Sequence, residues 1–253
     1  RADNSGQVKK IIAIDGAEDD HFGSAVSIDG ATAIVGAYFD ETDYIPHGSA
    51  YIFYQAQGGP NNWGQVKKLT AGDKAFGDQF GLRVSINGDT AVIGANYDND
   101  DVMGNDSGSA YIFSRDQGGP DNWGEVKKLT ASDGTAGDSF GSGVSISGDT
   151  VIVGASQHLT DGYSPGYAYI FSRDQGGADN WGVVEKLAAS VTASGDEFGY
   201  SVSISGDTAV VGALYDNDPV FGLDSGSAYI FSIGDGDSHK KSALPSIFML
   251  LLD

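Results

Sequence analysis

Residues 198–213 have the sequence FGYSVSISGDTAVVGA. Apolar and small polar residues alternate on both sides of Gly206-Asp207, and several of the apolar positions are β-branched. Alternation with period two around a tight turn of glycine and aspartate is typical of a β-hairpin. The stretch therefore predicts two antiparallel strands joined by a short turn.

The same hairpin occurs four times along the chain. Its Phe-Gly pair begins, in steps of 58, 60 and 58 residues, at Phe22, Phe80, Phe140 and Phe198. A third strand follows each hairpin, as SAYIF at 49–53, 109–113 and 227–231 and as YAYIF at 167–171. A fourth strand reads VKKL at 66–69 and 126–129 and VEKL at 184–187. Four short strands per repeat, without helical periodicity, indicate one propeller blade per copy.

The fourth copy lacks a following outer strand, and the N-terminal residues carry the sequence of one. Residues 3–11 (DNSGQVKKI) match residues 61–69 (NNWGQVKKL). We therefore predict an all-β propeller of four blades, each of four antiparallel strands, closed when residues 7–11 become the outer strand of the blade made by residues 198–232. Closure covers the sheet faces that an open array exposes at its ends. The alternative is an open half-ring that pairs with a second copy to make eight blades.

The two-part motif resembles a known repeat. Phe-Gly-x-x-Val-Ser-Ile, followed by Val-Gly-Ala and then Gly-x-Ala-Tyr-Ile-Phe, is similar to the FG-GAP repeat of integrin alpha-chain propellers and of many bacterial surface proteins. The resemblance covers residues 1–232 and implies a propeller with an adhesion or recognition role. Integrin propellers have seven blades, and their calcium loops lie between the two parts of the motif. This chain has only a tight turn there, such as the one at Gly148-Asp149.

Charge and composition exclude several classes of function. The chain has 14 Lys and Arg against 35 Asp and Glu, which gives a net charge of −21. Such a chain repels nucleic acid. It contains no cysteine, which removes disulfides and thiolate metal sites. The longest apolar run, Ala243 to Leu252, is shorter than the ~20 residues that a membrane-spanning helix needs. We expect neither a nucleic-acid partner nor a membrane span.

Two acidic loops between the second and third strands of a repeat suggest calcium. Carboxylate and amide oxygens on glycine-rich loops are the ligands that this hard cation prefers. The candidate ligands are Asp98, Asn99, Asp100 and Asp106 in the second copy and Asp216, Asn217, Asp218 and Asp224 in the fourth. The alternative is that these side chains form turns and solvate the surface. The aspartates two residues before each Phe-Gly, at positions 20, 78, 138 and 196, are expected to cap their loops by accepting backbone N–H groups.

The loops between the third and fourth strands carry tryptophan and arginine. An aromatic plane beside polar groups can hold a saccharide, so the candidate ligand-binding residues are Trp63, Trp123, Trp181, Arg115 and Arg173. The structural alternative is that the tryptophans anchor each loop against the neighbouring blade while the arginines pair with aspartates. The paired lysines of the fourth strand, such as Lys67-Lys68, are expected to protect exposed sheet edges.

No catalytic set recurs in the repeat. The four histidines, at positions 21, 47, 158 and 239, are not equivalent, and none has a recurrent acid or nucleophile beside it. We therefore expect no enzyme but a non-enzymatic adhesion or recognition module, exported or at the cell surface, with calcium as its candidate cofactor. A structural subunit of an extracellular layer or fibre and a propeller lectin are the alternatives. The sequence does not identify the protein or glycan partner.

The segment 233–253 departs from the propeller of residues 1–232. It contains an acidic hinge, GDGD at 234–237, and then the apolar residues 243–252. Because these residues are too apolar to remain in water alone, we expect the tail to dock as an extended segment. Its surface is either a groove of its own propeller or a neighbouring subunit, and the second case makes the protein a homo-oligomer.

Overall fold

The computed structural model describes residues 6–42, 45–99, 105–156, 164–191, 193–217 and 222–234. Of the predicted tail, residues 233–253, all but the first two lie outside these residues, as do Asp100 and Asp218. No helix occurs in the described part of the chain. Its strands are β1 (Val26–Asp29), β2 (Thr32–Ala37), β3 (Glu41–Thr42), β4 (Ile45–Pro46), β5 (Ser49–Tyr54), β6 (Gly64–Leu69), β7 (Arg83–Asn87), β8 (Thr90–Ala95), β9 (Ser109–Ser114), β10 (Gly124–Leu129), β11 (Phe140–Ser147), β12 (Thr150–Ala155), β13 (Tyr167–Ser172), β14 (Gly182–Leu187), β15 (Phe198–Ser205), β16 (Thr208–Ala213) and β17 (Ser227–Ser232).

Each repeat forms one antiparallel sheet, which confirms the predicted blades. Blade 1 has the strand order β1-β2-β5-β6, and β3 and β4 form a small ribbon of their own. Blade 2 consists of β7 to β10 and blade 3 of β11 to β14. Blade 4 consists of β15 to β17. The first strands of neighbouring blades contact one another, so the blades are stacked around a common centre.

The predicted closing strand is not formed. Among the described residues β17 pairs only with β16, so blade 4 has three strands, and residues 7–11 belong to no strand. The N-terminal segment instead packs on blade 1, where Ile11 and Ala13 lie against Val35, Tyr51 and Phe53. Burying these apolar side chains holds the segment on blade 1 without backbone pairing to β17.

The core consists of the layers between successive blades. The phenylalanine of the Phe-Gly pair is completely buried in blades 2, 3 and 4. In blade 2 its ring meets the edges of Tyr111 and Phe113, with centroids 5.5 and 5.9 Å from that of Phe80. The corresponding rings pack in the same way in blades 3 and 4. Edge-to-face packing of this kind adds to the burial of the rings themselves, which explains why the Tyr-Ile-Phe strand accompanies each Phe-Gly.

The two glycines of the motif allow neighbouring blades to touch through their backbones. A Cβ on Gly36 would lie 1.9 Å from the carbonyl oxygen of Gly81, and one on Gly154 would lie 1.9 Å from that of Gly199. Gly81 also has a φ of +94°, and a Cβ there would lie 2.2 Å from the oxygen of Ser49 in the preceding blade. No other residue fits both the conformation and the space at such positions.

A matched pair of glycine substitutions tests this contact. Gly154→Ala should lower the free energy of unfolding by about 1–3 kcal/mol, because the added methyl group forces blades 3 and 4 apart. Gly212→Ala changes the same position of blade 4, where the nearest atom to the new Cβ is the movable hydroxyl of Ser201 at 2.5 Å. It should cost much less. Urea unfolding of both variants makes the comparison, and equal losses would contradict the contact.

Candidate functional site

A central cavity of about 620 Å³ opens where the four blades converge. Residues from every blade line it. Its aromatic rings are Tyr38, Phe39, Tyr97, Tyr200 and Tyr215. Its polar groups include Asn96, Arg83 and Glu197, and the guanidinium of Arg83 in blade 2 lies 5.9 Å from the ring centroid of Tyr200 in blade 4. Such a mixture of ring faces and a few placed polar groups is typical of a ligand-binding pocket.

The repeat itself brings these side chains together. The second strand of each blade ends with Gly-Ala, and the next two residues reach the cavity in blades 1, 2 and 4. The second of the two is aromatic in these blades, as Phe39, Tyr97 and Tyr215. Sequence reasoning did not find the cavity. The signal in the sequence is the recurring aromatic residue directly before the aspartate, as in Phe39-Asp40, Tyr97-Asp98 and Tyr215-Asp216.

Serines of blade 3 support one side of the cavity. The hydroxyl of Ser142 accepts a hydrogen bond from the amide of Ser156 at 3.2 Å and lies 3.4 Å from the carbonyl oxygen of Gly199. Ser142 and Ser156 belong to blade 3, and Gly199 belongs to blade 4. These bonds fix the position of the wall against which a ligand would rest.

The predicted metal residue Asp98 is already compensated by a lysine. Its carboxylate is buried, lies 2.7 Å from the Lys128 ammonium and accepts a 2.5 Å hydrogen bond from Ser109. In blade 1, Asp40 lies 2.8 Å from Lys68 and accepts a hydrogen bond from the Tyr51 hydroxyl. A buried carboxylate needs such a partner, and an ammonium group supplies it here. The Asp98 carboxylate of the second-blade loop therefore already has a cationic partner, and calcium at this loop stays a prediction.

The equivalent residue of blade 4 has a different environment. Asp216 accepts a 2.6 Å hydrogen bond from the Tyr229 hydroxyl. The described part of blade 4 has no outer strand to bring a lysine to it. Asn217 accepts a bond from the Asp224 amide at 2.8 Å, as Asn99 does from Asp106. No three Asp, Glu or His side chains gather into a metal-binding group within the described residues, so calcium remains a prediction.

The predicted loop caps are confirmed. The aspartates two residues before each Phe-Gly accept a backbone N–H three positions upstream, with distances of 2.5 to 2.7 Å, from Ala17, Ala75, Thr135 and Ala193. Asp78 is the cap of blade 2, and its second carboxylate oxygen is buried without a hydrogen-bond partner. Burial raises the pKa of Asp78 to about 6, and the negative charges of Asp98 and Asp73 act in the same direction.

The tryptophan rings that a sugar would stack on are used instead for contacts between blades. Trp123 and Trp181 are 1% exposed, so their ring faces are not available to a ligand. The indole N–H of Trp123 donates to the Tyr54 hydroxyl of the preceding blade at 2.8 Å. Trp63 is half-buried beside the N-terminal segment. The contacts therefore support the anchoring interpretation of these loops.

The arginines of the same loops pair with aspartates and bridge blades. Arg115 Nε lies 3.1 Å from Asp89, and Arg173 Nε lies 2.6 Å from Asp149. Arg173 also donates to the Thr90 hydroxyl of the preceding blade at 3.0 Å, as Arg115 does to that of Thr32 at 3.3 Å. The guanidinium groups also lie over the buried Trp123 and Trp181 rings. Both arginines therefore make their contacts within the protein.

The outer-strand lysines make contacts within and between blades, and their predicted protection of sheet edges stays a prediction. The first of each pair donates to an asparagine of the next blade, as Lys67 does to Asn122 at 3.0 Å and Lys127 to Asn180 at 3.2 Å. The second compensates buried aspartates, as described for Lys68 and Lys128. Both lysines therefore stabilise contacts within and between blades.

The raised pKa of Asp78 leads to a pH-dependent stability. The folded pKa of Asp78, about 6, lies above the ordinary value of 3.8. The folded chain therefore takes up this proton as the pH falls through 6, whereas the unfolded chain takes it up only near 3.8. Acidification from pH 7 to pH 5 should therefore stabilise the wild type by about 1 kcal/mol more than it stabilises Asp78→Asn. Urea unfolding at both pH values measures the difference. An equal response of the two proteins would show that Asp78 does not carry it.

Four similar blades, packed through their faces around a shared cavity, define a β-propeller-type repeat protein. A family model confirms the resemblance of the motif, because the FG-GAP repeat matches residues 5–53, 63–113, 123–171 and 181–231. The chain belongs to the FG-GAP repeat family. No curated protein is similar enough in sequence to count as a match.

Among solved structures, the chain is similar to the crystal structure of Sqt1 from Chaetomium thermophilum, with a TM-score of 0.48 and 11% sequence identity. The likeness covers 85% of this chain and 44% of that chain, so this chain spans less than half of the length of Sqt1. No helix in the described residues is long and apolar enough to cross a membrane.

Proposed function

We propose that this chain is a non-enzymatic recognition module of the adhesion type, exported or displayed at the cell surface, and that it binds its ligand in the central cavity. Membership of the FG-GAP repeat family supports the class of function. A fold supplies only a scaffold, so the site must carry the rest of the argument. The observation that carries it is the convergence of five aromatic rings and several polar groups from four blades on one cavity.

The lining of the cavity suits a ligand with an apolar face and several hydrogen-bonding groups. Tyr97 and Tyr215 supply ring surface and hydroxyls, while Asn96, Arg83 and Glu197 supply an amide and both signs of charge. A sugar ring or a short polar peptide segment presents such groups. A lectin function would therefore use this cavity, since the buried tryptophans of the outer loops offer no ring face.

Removal of a cavity ring should weaken binding. The labelled protein is applied to a glycan array and to a panel of extracellular-matrix proteins, and binding to each positive spot is then titrated. Tyr97→Ala and Tyr215→Ala should each weaken that binding about tenfold, since loss of a central aromatic contact costs about 1.4 kcal/mol or more.

Phe76→Ala is the matched control, because Phe76 is exposed and does not line the cavity. It should bind as the wild type does. Absence of binding to both arrays, or binding that both tyrosine variants retain, would contradict the proposed site.

We propose further that any calcium binds the loop of Asp216, Asn217 and Asp224 and not the loop of Asp98. The reason is charge, because Lys128 already neutralises Asp98 whereas the Asp216 carboxylate has, among the described residues, the neutral Tyr229 hydroxyl as its partner. Calcium attracted to uncompensated oxygen ligands stabilises the folded chain by mass action.

Thermal unfolding at low protein concentration tests the calcium site. Millimolar calcium should raise the Tm of the wild type by about 3–8 °C relative to EDTA. Asp216→Asn should lose this response, and Asp98→Asn should retain it whatever its own Tm. A wild type whose Tm is the same in calcium and in EDTA would exclude the site.

A further inference from the structure

The two end blades expose side chains that every internal interface buries. On the face toward the next blade, Ile52, Ile112 and Ile170 are at most 1% exposed, whereas the equivalent Ile230 of blade 4 is 75% exposed. On the opposite face, Ile86, Ile146 and Ile204 are 5–6% exposed, whereas the equivalent Ile28 of blade 1 is 64% exposed. The blade 4 end face is defined here by Val210, Ala228 and Ile230, and the blade 1 end face by Val26, Ile28 and residues 8–14.

The glycine contacts are missing at the same two faces. A Cβ on Gly81, Gly141 or Gly199 would lie 2.2–2.3 Å from a carbonyl oxygen of the preceding blade, but one on Gly23 would meet nothing within 4 Å. A Cβ on Gly212 would meet only atoms of Ser201 in its own blade. The blade 1 end face and the blade 4 end face therefore carry the two halves of one contact.

A repeated hydrogen bond shows the same complementarity. The hydroxyl of a first-strand serine accepts the amide of an isoleucine in the next blade at 3.2 Å, in the pairs Ser27–Ile86, Ser85–Ile146 and Ser145–Ile204. The series leaves the amide of Ile28 at one end and the hydroxyl of Ser203 at the other. Blade 4 offers the acceptor that blade 1 needs.

The N-terminal segment already lies where the outer strand of a preceding blade would lie. Lys9 donates to Asn62 at 2.9 Å as Lys67 does to Asn122 at 3.0 Å. The Ile14 amide donates to Gln65 at 2.9 Å as the Gly72 amide does to Glu125 at 2.9 Å. Asp15 pairs with Lys68 at 2.7 Å as Asp73 does with Lys128 at 2.6 Å. Residues 9–15 thus make the contacts of an outer strand while their own strand partner is missing.

We propose that the blade 4 end face of one molecule packs on the blade 1 end face of a second copy of this chain. Residues 7–11 of the second copy then add the missing fourth strand to β17. The register follows from the other blades, in which Leu69 pairs with Ala50 and Leu129 with Ala110. Ile11 of the second copy therefore lies opposite Ala228.

A second copy fits better than closure within one chain. The three internal interfaces are already packed, with core residues of 0–9% exposure, yet the strands of blade 4 make no comparable contact with β1 or β2 in the described structure. Closure in one chain would change the angle at every packed interface. A second copy uses the end faces as they are, and two copies joined at both ends give eight blades, within the range of known propellers.

Introducing a negative charge on each of the two end faces tests the assembly. Light scattering across a concentration series should give the wild type a mass twice the 26.2 kDa of one chain. Ile28→Asp and Ile230→Asp should each give monomers. These monomers should keep the circular dichroism spectrum of the wild type and unfold cooperatively, since both side chains are exposed in a single molecule. An equal mixture of the two variants should associate again, because one intact interface forms between them. The Phe76→Asp variant should remain associated, because Phe76 is an exposed residue of the loop between β6 and β7 and belongs to neither end face as defined above.

Cysteine cross-linking tests the register and separates the second copy from closure in one chain. The protein has no cysteine, so Ile11→Cys and Ala228→Cys provide the only thiols. A mixture of the two single variants should oxidise to a covalent dimer, and Ile11→Cys with Leu223→Cys should not.

Three results would overturn the proposal. One is a wild type that is monomeric at all concentrations. Another is an Ile11→Cys and Ala228→Cys double variant that closes its disulfide within one chain. The third is association that both aspartate variants retain, or that is lost when residues 242–253 are deleted, which would make the tail the occupant of the end face.

Discussion

The structure depends on the contact between glycine backbones of successive blades. Because neither glycine carries a side chain, the second strand of one blade reaches the Phe-Gly turn of the next. In blades 2 to 4 that approach covers the phenylalanine, which packs on the tyrosine and phenylalanine of its own third strand and is buried completely. Phe22 of blade 1 makes the same ring contacts without a preceding blade and is only half-buried. The same approach also places a serine hydroxyl within reach of the next isoleucine amide. The repeated spacing of the motif within this chain is therefore needed for the interface between blades as well as for the hairpin.

Electrostatic pairing follows the same repeat. A single outer-strand lysine compensates both the aspartate that precedes its blade and the buried aspartate of its own blade, as Lys128 does for Asp73 and Asp98. In this way a chain with few cations can bury several carboxylates. The position equivalent to Asp73 is Asp15 before blade 1 and Asp133 before blade 3, but it is Val191 before blade 4. Within the described residues, blade 4 has no outer strand and so no outer-strand lysine. The position before blade 4 correspondingly has no aspartate for such a lysine to neutralise.

The sequence predicts the structure within each blade well and the contacts between blades poorly. Hairpins and caps depend on residues close in the chain, so Gly206-Asp207 and Asp78 could be interpreted directly. Burial of Trp123 depends on Tyr54 and Arg115 beside it, and the same residue types would form an exposed sugar platform. Closure depends on the angle between blades, which the packing of side chains sets and the repeat period does not record. The central cavity needs the same angle, although its aromatic residues recur in the sequence.

Asp216 connects the proposed assembly with the proposed calcium site. In blades 1 and 2 the second lysine of the outer strand neutralises the equivalent aspartate. If residues 7–11 of a second copy add to β17, that lysine is Lys10, and its ammonium reaches Asp216 as Lys68 reaches Asp40. The carboxylate can then be compensated by Lys10 or by calcium but not by both at full strength, since each removes the charge that attracts the other. If both proposals hold, calcium and self-association oppose each other at this residue, and a fall in calcium favours the assembled form.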